Sequence, residues 1–200
     1  MQINAVRDTP TDPAQVPTLH RWSVADFYRM AETGLIRERD RMELIEGELI
    51  DMAPIGSRHA YQVDRLVELI YAARAQCMLP FMLRCQGPVR LSTWSEPLPD
   101  IALIRPGNYS TAHPGPNDVL LIIEVADSTL KYDRDVKLAL YARHDIPEVW
   151  LIDLQQDLLT QYRDPTPQGY RRSCVAAASD VVEPAALPGL CVKLSELFAG

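Results

Sequence analysis

A chain of 200 residues, 47% hydrophobic and 24% charged, has enough apolar surface to offset chain entropy and stays below the size at which cores divide, which excludes global disorder and predicts one domain. A net charge of −7 argues against gripping nucleic acid through a broad basic face, but not against a site whose own carboxylates supply the charge while a few local bases meet phosphates. No apolar run approaches the roughly 20 residues of a helical membrane span, the start lacks a secretory signal's apolar stretch, and the four cysteines show no CxxC spacing, so a cytoplasmic protein with reduced core thiols is expected.

Residues 1–18 read as a flexible tail, with Pro10, Pro13 and Pro17 in place of any periodic pattern, and residues 19–200 as the domain. Ser23 is a good N-cap for a short amphipathic helix over Trp22–Met30. Glu46-Gly47 joins Arg41–Ile45 to Glu48–Met52, and a Gly in so short a connection allows the positive φ of a tight hairpin. Val63, Leu66, Val67, Ile70 and Tyr71 recur at helical spacing over Ser57–Ala75, with Ser57 placed to cap the first turn. Strands are predicted at Pro88–Leu91 and Ile101–Ile104, followed by a loop rich in Pro, Gly and Asn over Arg105–Asp118.

Val119–Val125 is almost uninterrupted aliphatic sequence, the pattern of a central strand covered on both faces. A helix over Asp133–Arg143 and a strand over Glu148–Asp153 follow it, so strand, helix and strand predict a right-handed parallel crossover. A hairpin of Leu158–Arg163 with Gly169–Val175 and a helical turn at Leu194–Phe198 complete an α/β reading.

Two acids stand in costly places. Asp100 opens a strand, and Glu124 interrupts the most apolar strand of the chain, where an unpaired carboxylate is expensive to bury. Acids at the ends of neighbouring strands can share a divalent cation; the alternative is that Glu124 pairs with a buried Arg or caps a helix. Lys137 lies four residues after Asp133, so it either reaches the same pocket from the following helix or pairs with Asp133 at the surface. Trp150 and Tyr141 read as core aromatics, and Asp127, Ser128 and Thr129 as the turn after the Glu124 strand.

The run Met42–Glu48, His59 opening a helix, Leu98-Pro99-Asp100-Ile101-Ala102, Ile123–Thr129, Asp133 with Lys137 and Tyr141, and Glu148–Asp153 together resemble the Uma-two family of candidate restriction endonucleases, within the PD-(D/E)XK superfamily. The resemblance spans residues 20–198 in the family's order. It implies a restriction-endonuclease-like core: a mixed central β-sheet flanked by helices, preceded by a helix and a β-hairpin. It also implies that Pro99-Asp100 is the PD element and Glu124 the acidic half of E-x-K. Ala126 stands where that motif has Lys, and the resemblance moves the lysine to Lys137 on the next helix. Glu43 is implied as a further site acid, the alternative being an exposed hairpin carboxylate; His59 resembles a helix-start position of the family, and by its chemistry a His there is a cap or a substrate contact rather than a ligand.

The implied reaction is hydrolysis of DNA phosphodiester bonds by a homodimer. Mg²⁺ or Mn²⁺ would be held by Asp100, Glu124 and the carbonyl of Val125, with Lys137 as the electrostatic partner of the attacked phosphate. The competing expectation is a catalytically silent nuclease-fold module that binds nucleic acid or protein, and Mn²⁺ binding discriminates the two.

Overall fold

A computed structural model describes residues 18–37 and 39–199, so the expected tail lies almost entirely outside the described residues. The architecture is set by β5 (Val119–Ala126), all eight residues of which are buried. It pairs antiparallel with β4 (Ile101–Ile104) and parallel with β6 (Glu148–Asp153). With β3 (Met82–Cys85), β7 (Leu158–Thr166) and β8 (Gly169–Ala176) they form one six-stranded mixed sheet in the order β3-β4-β5-β6-β7-β8. All neighbours except β5 and β6 run antiparallel.

The two faces of this sheet follow from side-chain alternation. Ile101, Leu103, Leu121, Ile123, Trp150 and Ile152 point one way. They pack on Val63, Leu66 and Ile70 of α2 (Ser57–Cys77), whose helical stripe is the one the sequence shows. Ala102, Ile104, Ile122, Val149 and Leu151 point the other way, onto Leu138, Leu140 and Tyr141. Those three belong to the helical segment between β5 and β6, which comprises α3 (Leu130–Tyr132), a π turn over Asp133–Lys137, and α4 (Leu138–Arg143).

The N-terminal elements form as the sequence predicts. Ser23 caps α1 (Val24–Glu32) in a reciprocal capping box with Asp26. The hairpin β1 (Met42–Ile45) and β2 (Glu48–Asp51) turns at Glu46 and Gly47 with φ of 51° and 86°. Gly47 is needed twice over, because a Cβ there would also meet Arg21 at 2.7 Å. Glu96 extends this hairpin through a backbone bond to Leu44, anchoring it beside β4.

Four expectations require correction. Pro88–Leu91 is not a strand: Val89, Arg90 and Leu91 donate to Pro97, Pro114 and Ser95 in a tight loop, while the edge strand is Met82–Cys85. A Pro with no N–H and a partner loop within bonding reach explain the substitution of one for the other. Ser57 is the first helical residue, and Gly56 occupies the cap without a side-chain bond. The helix expected to begin at Asp133 begins at Leu130. The cysteines are free as expected but not core: Cys77 is half-buried and Cys85, Cys174 and Cys191 are exposed, two of them on the edge strands β3 and β8. Among the described residues, no helix is long and apolar enough to cross a membrane.

Candidate active site

Strand register brings the two suspect acids together. The ladder between β4 and β5 ends at the pair Ile101 and Ile123, so one further step places Asp100 opposite Glu124. Both then lie on the face covered by the Leu130–Arg143 segment, and directly opposed residues have Cβ atoms about 4.5–5.5 Å apart. The side chains extend the ladder that the backbone has stopped making. Val125 N donates to Asp100 Oδ2 at 2.9 Å, and Asp100 N approaches Glu124 Oε2 at 3.4 Å.

Lys137 enters from the other layer. The π turn carries an i→i+5 bond from Leu138 N to Asp133 O, an arrangement that is rare and concentrated at functional sites. It turns Asp133 and Lys137 inward, 5% and 4% exposed, rather than leaving them as a surface pair. Lys137 Nζ lies 3.3 Å from both Glu124 Oε1 and Glu43 Oε2. Asp133 instead accepts from Thr129 Oγ1 at 2.6 Å.

Glu43, on β1, is 1% exposed, not an open hairpin carboxylate. It accepts from Leu98 N at 3.2 Å and from Tyr132 Oη at 3.3 Å besides pairing with Lys137, so both of its oxygens are occupied. His59, in the first turn of α2, places Nε2 3.0 Å from Asp100 Oδ1, close enough for charge attraction though off the angle of a good hydrogen bond. These groups line a cleft of about 330 Å³ together with Val125, Tyr132 and Asp133.

Four acids around one ammonium fix the electrostatics. Burial, reinforced by Asp133 and Asp100, outweighs Lys137 and pushes the Glu124 carboxyl up to about 8. Burial also raises Asp100, against the Val125 N–H, His59 and Lys137, and raises Asp133. For Lys137, burial alone would lower the value, but Glu124, Glu43, Asp133 and Asp100 together hold it above the ordinary lysine range.

Tyr141, read from sequence as a core aromatic, is fully buried and also donates to Glu124 Oε1 at 2.6 Å. Its position four residues after Lys137, hence on the same helix face, and the need of a buried hydroxyl for a partner were the available signals. Tyr132 had none, because it reaches Glu43 only through the inward turn of this segment.

A mixed sheet whose carboxylates meet at the end of a central strand, faced by a lysine from the covering helix, has the form of a nuclease fold. Residues 24–195 match the Uma2 family, described as "Putative restriction endonuclease", and the chain belongs to that family. The crystal structure of a nuclease of DUF820, itself described as putative, from Anabaena variabilis has the same fold: TM-score 0.67 at 17% identity, covering 88% of this chain and 97% of that one. No curated protein matches the chain significantly.

Proposed function

We propose that the protein is a cytoplasmic endonuclease that hydrolyses DNA phosphodiester bonds with Mg²⁺ or Mn²⁺ at the end of β5. The observation that carries this reading is the meeting of Asp100, Glu124 and Lys137 in one cleft from three separate elements. The donors are all oxygens, which suits a hard cation. Asp100 and Glu124 would hold it with the carbonyl of Val125, because the N–H and C=O of a strand residue point to the same side, and the Val125 N–H already faces Asp100. Among the described residues no three His, Cys, Asp or Glu side chains form a ready-made cage. Two carboxylates with the remaining positions left to water is nevertheless the usual way Mg²⁺ is bound.

A bound divalent cation supplies Lewis acidity at the phosphate and an acidified water. The chain's own groups do the rest. Lys137, fixed by Glu43 and Glu124, offers an ammonium to the negative charge that grows on the attacked phosphate. Glu43, whose oxygens are taken, acts through Lys137, and Tyr132 steadies Glu43. Tyr141 holds one Glu124 oxygen and leaves the other toward Asp100. Cutting both strands of a duplex calls for two symmetric sites, so we include a homodimer in the proposal, to be checked by sedimentation.

The deciding experiment is a cleavage assay on plasmid, duplex and single-stranded DNA with Mg²⁺ and Mn²⁺, run beside Asp100→Ala. Metal-dependent cutting by the parent that disappears in the variant supports the reading; cutting that survives Asp100→Ala sinks it. The second reading, a silent module, is favoured by Ala126 at the place of the motif lysine. A calorimetric Mn²⁺ titration with no heat of binding would select it.

A further inference from the structure

A second pocket, of about 210 Å³, lies outside the cleft and is lined by Tyr28 of α1, Arg90, and Tyr109 to His113 of the long loop. Its floor is built on a buried carboxylate. Glu96, 1% exposed, accepts from Arg90 Nε and from Tyr28 Oη, each at 2.7 Å. That pairing holds the guanidinium through Nε, with Cζ over the Tyr28 ring 5.5 Å from its centroid, while the Arg90 side chain as a whole is 44% exposed. The Tyr28 and His113 rings face each other near parallel, 6.4 Å apart at an interplanar angle of 29°. Among the described residues, His113 Nδ1 is buried without a hydrogen-bond partner. Rigid aromatic faces, a held guanidinium and an unsatisfied ring nitrogen are what a flat heterocycle bearing phosphate requires.

We propose that this pocket receives one unpaired nucleotide of the substrate strand, its base against Tyr28 and His113 and its phosphate on Arg90. The inference rests on the nuclease reading and deepens it, since it assigns a preference for single-stranded or frayed DNA over a blunt duplex. The pocket is too small for paired bases, and a paired base would first have to be unstacked and extruded, at a cost of a few kcal/mol. The carboxylate beneath this pocket and the cleft acid are close in the chain. Glu96 and Asp100 are four residues apart, so their backbones are separated by at most roughly 14 Å.

The test is fluorescence anisotropy of labelled octathymidylate and of a blunt duplex at fixed low salt, in EDTA so that nothing is cut. The parent should bind octathymidylate more tightly than the duplex. Tyr28→Leu should weaken single-strand binding roughly tenfold or more, the scale of one lost base–aromatic stack, and leave duplex binding unchanged. Tyr28→Phe, which keeps the ring and leaves Arg90 on Glu96, should bind as the parent does. Should Tyr28→Leu melt early, His113→Ala, which breaks no side-chain hydrogen bond among the described residues, decides in its place with the same expected loss. Parental binding by the folded variants, or no octathymidylate binding by the parent, overturns the pocket. Cleavage is read separately. A parent that cuts nothing yet shows the Tyr28 dependence defeats the nuclease reading alone, and one that cuts but lacks this dependence defeats the pocket alone.

Discussion

Two buried glutamates on adjacent parallel strands make opposite use of the same sheet. Glu124 lies near the C-terminal end of β5 and Glu148 at the N-terminal end of β6, on the other face, and both are almost inaccessible. Glu148 is saturated: Trp150 Nε1 donates at 2.6 Å, Arg163 at 2.9 Å and Ala185 N at 2.8 Å, with Gln161 at 3.4 Å. Its network fastens β7 and the 183–185 segment to the start of β6. Glu124 has a tyrosine and a lysine, but it shares that lysine with Glu43 and has Asp100 and Asp133 near it. A buried acid with every oxygen matched holds a fold together. One crowded by other acids, and sharing its cation with Glu43, is the acid to which our proposal gives the metal.

The contrast is sharpest under deletion. Glu148→Ala orphans a buried indole N–H and a half-buried guanidinium, so it should cost about 3 kcal/mol, near the low end for breaking a buried pair. In a chain of this size that is a fall in Tm of roughly 10 °C by calorimetry. An unchanged Tm would remove Glu148 from its structural role. Lys137→Ala should lower turnover by roughly 10², equivalent to about 2.7 kcal/mol, with Mn²⁺ affinity little changed. Lys137→Arg should rescue poorly, since a planar fork does not fill the place of a compact ammonium. Near-parental turnover in Lys137→Ala would return it to a structural ion pair. A smaller effect belongs to His59, which touches Asp100 from the cleft wall. His59→Ala should raise KM for DNA roughly tenfold while kcat holds, and a loss confined to kcat would contradict a substrate contact.

Much of the fold was legible because burial imposes periodicity. The all-aliphatic β5, the helical stripe of α2 and the Gly-containing hairpin each follow from a repeat that a misplaced residue would break. Asp100 and Glu124 were legible as neighbours because one opens a strand and the other lies near the end of another, while the register that sets them opposite each other is seen only in the fold. The edge strand Met82–Cys85 was not legible, because an edge has weak alternation and its neighbour Pro88–Leu91 carries the more strand-like residues. Nor was the π turn. Its single extra residue per turn leaves no compositional mark, yet it takes Asp133 and Lys137 off the surface and brings Tyr132 to Glu43. Glu148 read as an ordinary strand residue, because the partners that satisfy it come from β7 and the 183–185 segment, distant in sequence.

The smallest expected effect at pH 7 is the most discriminating, and it concerns the stability of Glu124→Gln without metal. With its carboxyl pushed up to about 8, Glu124 carries a proton at neutral pH far more often in the folded chain than in the unfolded one. The amide has nearly the same shape, and its oxygen can still accept from Tyr141 and Lys137. The variant should therefore unfold within about 1 kcal/mol of the parent at pH 7, since no buried charge is left newly unpaired. The pH dependence gives the sign. A carboxyl whose folded value is raised binds more protons folded than unfolded, so its contribution to stability is complete below the unfolded value near 4.5 and is lost as pH rises through about 8. Glutamine does not titrate, so Glu124→Gln should gain on the parent as pH rises from 5 to 8, and the Tm of the variant minus that of the parent should rise steadily across that range in EDTA. Mn²⁺ should then raise the Tm of the parent and leave the variant where it was, because binding to the folded form alone stabilises it. If Glu124→Gln melts well below the parent at every pH with a constant gap, Glu124 is a structural ion pair like Glu148, and the difference between the two strands disappears.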